Sequence, residues 1–252
     1  MSARRSRRRS GWTAMAWVDA PRVDTLVRDA SEGQRTASLR QAGEWLARLH
    51  AAGPCRRMDR DFRNLCGRLR TRFAFSVRGV EAEALLKALD RRAREIGRVA
   101  RTGVPLHWDF KPRNLFATPS GIVGFDLGLT KPGLALHDAA SFLTAIELDR
   151  YETEVFSARQ SGTIEGDRRA FFAGYGALEA CDVPLLDMIE DQLLVARWLR
   201  HRAIAMPPAE RVAATARVLA IRGLSGNAVM TRPGRPVRRR FLPARWSDGA
   251  CP

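Results

Sequence analysis

The chain has 252 residues, 45% of them hydrophobic, with a formal net charge of +16 at pH 7, a composition that can bury one sizeable core within a single domain. No apolar run approaches the roughly 20 residues of a membrane span, which excludes an integral helical membrane protein. The positive charge crowds the ends, in Arg4, Arg5, Arg7, Arg8 and Arg9 and in Arg232, Arg235, Arg238, Arg239, Arg240 and Arg245, and only Lys87, Lys111 and Lys131 are lysines; such an arginine habit throughout the chain does not point to nucleic acid as the partner.

Residues 1–13 lack any helical or strand period and read as a basic disordered tail. The Ser6-Arg7-Arg8-Arg9 start resembles a targeting region, but the apolar stretch from Trp12 to Val18 is too short and runs into Asp19, so a cytoplasmic protein is expected. Leu39, Ala42, Leu46 and Leu49 recur at helical spacing, and the run from Ala42 ends on Gly53, a helix stop signal. Leu85, Leu86, Leu89, Ala93 and Ile96 form a second stripe, and Leu185, Leu186, Ile189 and Leu193 a third. The cysteines, Cys55, Cys66, Cys181 and Cys251, have no metal-type spacing and read as reduced bystanders.

The chemistry concentrates in His107-Trp108-Asp109-Phe110-Lys111-Pro112-Arg113-Asn114, followed twelve residues later by Asp126. Leu115–Thr118 and Ile122–Phe125 flank Pro119-Ser120-Gly121, a strand, turn, strand pattern that would carry Asn114 back beside Asp126. Asp109 can accept a proton from an attacking hydroxyl, and Asn114 and Asp126 are hard oxygen donors suited to Mg²⁺. Together these are the requirements of phosphoryl transfer from a magnesium nucleotide, with ATP and Mg²⁺ as expected cofactors. Lys111, two positions after the base, can reach the transferring phosphate and offset its charge. The hairpin is the single clear one in the chain. Two acidic runs, Glu147, Asp149, Glu152 and Glu154, and Asp187, Glu190 and Asp191, could pair with an amine on the acceptor or form solvated helix faces.

On these residues the segment from Leu106 to Leu143 resembles the aminoglycoside phosphotransferase and choline kinase group, which shares the lower lobe of protein kinases. The group's pattern of His-x-Asp-Phe/Leu-x3-Asn, an apolar strand ending in Phe-Asp, and a Gly-Pro link to a helix-opening Asp is met by His107 to Asn114, Ile122 to Asp126, and Pro132-Gly133 leading to Asp138. The resemblance implies Asp109 as catalytic base, Asn114 and Asp126 as magnesium ligands, Asp138 as a buttress of the catalytic loop and His107 as a structural member of it. It also implies an α+β, mostly helical fold like the C-terminal lobe of kinases, containing the catalytic β-hairpin, over residues 36–224. Leu49-His50 closes its first large helix, and Phe171 to Gly176 and the helix around Leu193, Ala196 and Leu199 are its closing helices.

Residues 14–35 resemble the group's hinge, with Met15, Ala16 and Trp17 offering backbone contacts to adenine. No lysine precedes Lys87 and no Gly-rich phosphate loop precedes Leu39, so the nucleotide-binding upper lobe is expected to be missing, or supplied by a second chain, and nucleotide binding by this chain alone to be poor. Residues 225–252 read as a second basic disordered tail. The expected function is ATP-dependent phosphoryl transfer to a hydroxyl of a small molecule; the alternative is a non-catalytic pseudokinase remnant that binds a partner.

Overall fold

The computed structural model describes residues 18–53, 56–127, 131–153, 158–204 and 209–224, with the backbone alone of 152–153, 158–163 and 210. Helix α1 (Val23–Asp29) leads into α2 (Glu32–Ala51), which starts ten residues before the periodic run from Ala42. The cause is a capping box, in which the Ser31 side chain accepts from Gln34 N and the Gln34 side chain accepts from Ser31 N. Gly53 marks the stop as expected, since α2 ends at Ala51 with Ala52 as its cap.

Strand β1 (Arg56–Asp61) and helices α3 (Leu65–Arg72) and α4 (Val80–Ile96) follow. Strand β2 (Arg98–Pro105) pairs antiparallel with β1 and, at its other edge, with β5 (Pro132–Leu134). The catalytic hairpin is therefore not the only sheet. Strand β1 reads Arg-Arg-Met-Asp-Arg-Asp and shows no apolar alternation; cross-strand charge helps to hold it, with Arg98 Nε 2.7 Å from Asp59 Oδ1. The predicted hairpin forms from β3 (Leu115–Thr118) and β4 (Gly121–Gly124), with Leu115 opposite Gly124.

Helices α5 (Leu136–Thr153), α6 (Ala158–Tyr175), α7 (Asp182–Ala203) and α8 (Ala209–Ile221) complete the described fold. Helix α5 is enclosed, with Ala139, Ala140, Phe142, Leu143, Ile146 and Leu148 all buried. Helices α2 and α6 cross closely enough that a Cβ on Gly174 would stand 1.9 Å from Arg40 O, and one on Gly43 2.2 Å from Phe171 O. The stripes on α4 and α7 face the core, with Leu85, Leu86, Leu89 and Ala93 buried on one and Leu185, Leu186 and Ile189 on the other.

The acidic runs correct the sequence reading. Glu147, Glu190 and Asp191 are neither solvated nor free for an acceptor, because all three are buried against Arg222, just beyond α8. Arg222 Nη2 lies 2.8 Å from Glu190 Oε2 and its Nη1 3.2 Å from Asp191 Oδ1, and it also pairs with Glu147. Arg168 Nη1 reaches Glu190 Oε1 at 2.6 Å, and Arg92 pairs with Asp191. Helix α7 is buried on several sides, at Met188, Ile189, Leu194 and Val195 as well as at Glu190 and Asp191, so these charges lie where only paired groups are tolerated. Cysteine usage is also corrected: Cys181 is disulfide-bonded, while Cys66 is a free thiol whose burial pushes its pKa up to about 11. Among the described residues, no helix is long and apolar enough to cross a membrane.

Candidate active site

The loop between β2 and β3 is held from below by one carboxylate. Asp138, fully buried in the first turn of α5, accepts hydrogen bonds from His107 N at 2.6 Å and Trp108 N at 3.0 Å. Two adjacent N–H groups converge on one side chain because Trp108 turns into the left-handed region at φ 67°, a conformation that costs a bulky residue energy unless its surroundings enforce it. Asp138 thus bonds the loop backbone, and it is itself held. His50 Nε2 lies 3.4 Å from Asp138 Oδ2, and His50 Nδ1 lies 3.0 Å from the Tyr175 hydroxyl. Sequence reasoning assigned neither His50 nor Tyr175 a place at the site, although the Leu49-His50 ending of α2 carried the signal for the first. Replacing Asp138 with Ala leaves both loop N–H groups buried without acceptors and is expected to cost roughly 2–4 kcal/mol of stability, read as a lower urea midpoint at unchanged slope.

Aromatic packing fixes the rest of the loop. Phe110 is fully buried and stacks on Trp45, with ring centroids 5.7 Å apart and planes 3° from parallel, and on Phe142 at 4.9 Å. His107 is enclosed between Trp45 and Phe110, and neither of its ring nitrogens has a hydrogen-bond partner among the described residues. The structure thus packs His107 among aromatic rings beneath the loop. Trp45 also demands the glycine at the end of β4, since a Cβ on Gly124 would meet the indole at 2.5 Å.

At the head of the loop Asp109 stays partly open, its side chain 38% exposed. Asn114 Nδ2 donates to Asp109 O at 2.8 Å and to Asp109 Oδ2 at 3.0 Å, while Lys111 Nζ pairs with Oδ1. Burial works to raise the Asp109 carboxyl, but the Lys111 ammonium, the Asn114 amide and then Arg113 outweigh it, so its pKa lies below the ordinary carboxylate value. Asn114 is buried, with its Oδ1 in no hydrogen bond among the described residues.

The hairpin register brings Phe125 N to 3.2 Å from Asn114 O. Asp126 therefore follows directly beside Asn114, exposed and at φ 61°, with no side-chain partner among the described residues. The donor set of one amide oxygen and one free carboxylate suits a hard, oxygen-loving cation that completes its shell from phosphate and water. No three His, Cys, Asp or Glu residues cluster as a metal site among the described residues. On the outer edge of the hairpin, Ala117 N donates to Pro21 O at 2.9 Å and Arg22 bridges Phe116, so the segment entering α1 lies against the site. Met15, Ala16 and Trp17, expected at the adenine, lie outside the described residues.

The profile of the phosphotransferase enzyme family matches residues 3–182, well over half of the chain. No curated protein matches by sequence. Among solved structures, one crystal form of a glucosamine kinase aligns with a TM-score of 0.54 at 17% identity, covering 79% of this chain and 54% of its own. A second form aligns at 0.54 and 19%, over 79% and 55% of the two chains. A glucosamine kinase in complex with glucosamine, ADP and inorganic phosphate aligns at 0.53 and 18%, over 79% and 57%. The likeness is one of fold, kinase-like and mostly helical with small antiparallel sheets, and the chain spans little more than half the length of these structures.

Proposed function

The chain belongs to the phosphotransferase enzyme family, and we propose that it transfers the terminal phosphoryl group of ATP to a hydroxyl of a small molecule. One observation carries the reading: Asp109, partly open to solvent, is bonded to Lys111 and to the buried Asn114, and the hairpin brings in Asp126, which has no side-chain partner among the described residues.

In this reading each carboxylate oxygen of Asp109 accepts one protein hydrogen bond and keeps a lone pair for the acceptor. The acceptor's O–H proton passes to Asp109 as its oxygen bonds to the γ-phosphorus; the bridging P–O bond breaks and its electron pair leaves with ADP. Lys111 holds Asp109 in place and lies where it can share its charge with the transferring group. Asn114 Oδ1 and Asp126 would hold Mg²⁺, which when bound supplies positive charge against the nucleotide phosphates. Asp138 acts through the backbone of His107 and Trp108 to keep Asp109 aimed.

Calorimetry with ATP in the presence and absence of Mg²⁺ tests the metal assignment. Wild-type chain should gain affinity when Mg²⁺ is added, and Asp126→Ala should lose that gain. An equal Mg²⁺ effect in the two forms would remove Asp126 from the metal site.

A further inference from the structure

A small recess borders the catalytic loop and takes no part in the chemistry above. Arg60, Phe62, Leu106, Trp108, His137 and Gln192 line it, no carboxylate does, and its free volume of about 10 Å³ admits one water-sized group. Arg60 differs from the other enclosed arginines. Arg35, Arg92, Arg150, Arg168 and Arg222 all face carboxylates, whereas Arg60 has neither an ion pair nor a hydrogen bond among the described residues. Its guanidinium carbon sits 5.6 Å from the centroid of the Phe62 ring. Burial, and then the charge of Arg68, push its pKa down, the mark of a cation held without compensation.

His137 repeats the pattern. Its Nδ1 is buried with no partner among the described residues, and burial lowers its pKa, with Asp138 opposing that shift and Arg60 adding to it. Two groups that donate when charged thus converge on a recess that offers them no acceptor. The recess is also tied to the chemistry: the Trp108 indole lies 5.4 Å from the His137 ring, is 38% exposed, and belongs to the residue before Asp109.

We propose that this recess is an oxyanion subsite for the acceptor, taking a carboxylate or phosphate group carried by the hydroxyl substrate, with Arg60 as its principal contact. The inference rests on the phosphotransferase reading and narrows its substrate class. The recess is large enough only for the tip of an oxyanion, so the body of the molecule lies outside it, against the exposed face of Trp108 and within reach of Asp109. A cationic group is disfavoured in the recess on the same ground, because Arg60 and His137 line it and no carboxylate does.

The test is calorimetry on the full chain without nucleotide, using glucuronate, glucose, glucosamine and inorganic phosphate as probes. Glucuronate should bind about tenfold or more tighter than glucose or glucosamine, Arg60→Gln should abolish that preference, and Arg60→Lys should restore part of it. Phosphate should compete but bind more weakly, since it lacks the contact with Trp108. Undetectable glucuronate binding at millimolar concentration, equal glucuronate affinity in wild type and Arg60→Gln, or tighter binding of glucosamine would overturn the proposal. Phosphate binding as tight as glucuronate would overturn the acceptor assignment. No phosphoryl transfer is measured, so failure of the phosphotransferase reading would not alter these results.

Discussion

Asp109→Asn should lower turnover by roughly 10²-fold to 10⁴-fold while leaving nucleotide affinity nearly unchanged. The amide has the size of the carboxylate, but its single oxygen can accept from only one of Lys111 and Asn114, and it cannot take the hydroxyl proton. Steady-state rates at saturating ATP check this, and equal turnover in the two forms would remove Asp109 from the mechanism. The wild-type pH profile carries a second signature. The Asp109 pKa is held below its ordinary value, and the base acts in its ionised form, so activity should persist as pH falls through the mildly acidic range. The acid limb of the profile is expected below the ordinary range of an aspartate.

Arg222→Met should be the most destabilising single change in the helical half. Arg222 is buried and meets Glu147, Glu190 and Asp191 at once. Removing it strands three buried carboxyl groups with only Arg168 and Arg92 left to balance them, a loss of roughly 3–5 kcal/mol. Urea unfolding should report it as a lower midpoint, and a change within 0.5 kcal/mol, about what a surface site gives, would show that the network adds nothing. The sign with pH is specific. Burial works to raise Glu190, but Arg168 and Arg222 outweigh it and lower its pKa in the fold, so its contribution is present above its unfolded value and lost as pH falls through the folded one. Asp191 is raised, because burial outweighs Arg222 and Arg92, and it acts in the opposite sense. The difference between wild type and Arg222→Met should therefore narrow in acid, where Glu190 needs no partner.

How much the sequence disclosed follows from where the constraints are local. The loop from His107 to Asn114 and the hairpin to Asp126 were legible because turn residues and a period of two fix them over a few residues. Asp138 was legible only through the family resemblance, for its two bonds span 31 and 30 positions. The charged strand β1 left no pattern at all, since it depends on β2 nearly forty residues on. Glu147, Glu190 and Asp191 looked like surface residues because a partner such as Arg222, 75 residues beyond Glu147, leaves no mark at short range. His50 and Tyr175 failed to register for the same reason: their contact joins residues 125 positions apart. Long-range polar pairing, more than apolar packing, was what the sequence concealed.

In the proposed reaction Asp109, Lys111, Asn114 and Asp126 together move a phosphoryl group from ATP to a hydroxyl. Phosphorus NMR of the 252-residue chain with ATP, Mg²⁺ and polyol acceptors follows that group directly. The account predicts loss of the γ-phosphate signal matched by a new phosphomonoester and ADP, dependent on the acceptor and abolished by Asp109→Asn. Slow loss to inorganic phosphate alone, or ester formation at the same rate in Asp109→Asn, would contradict it.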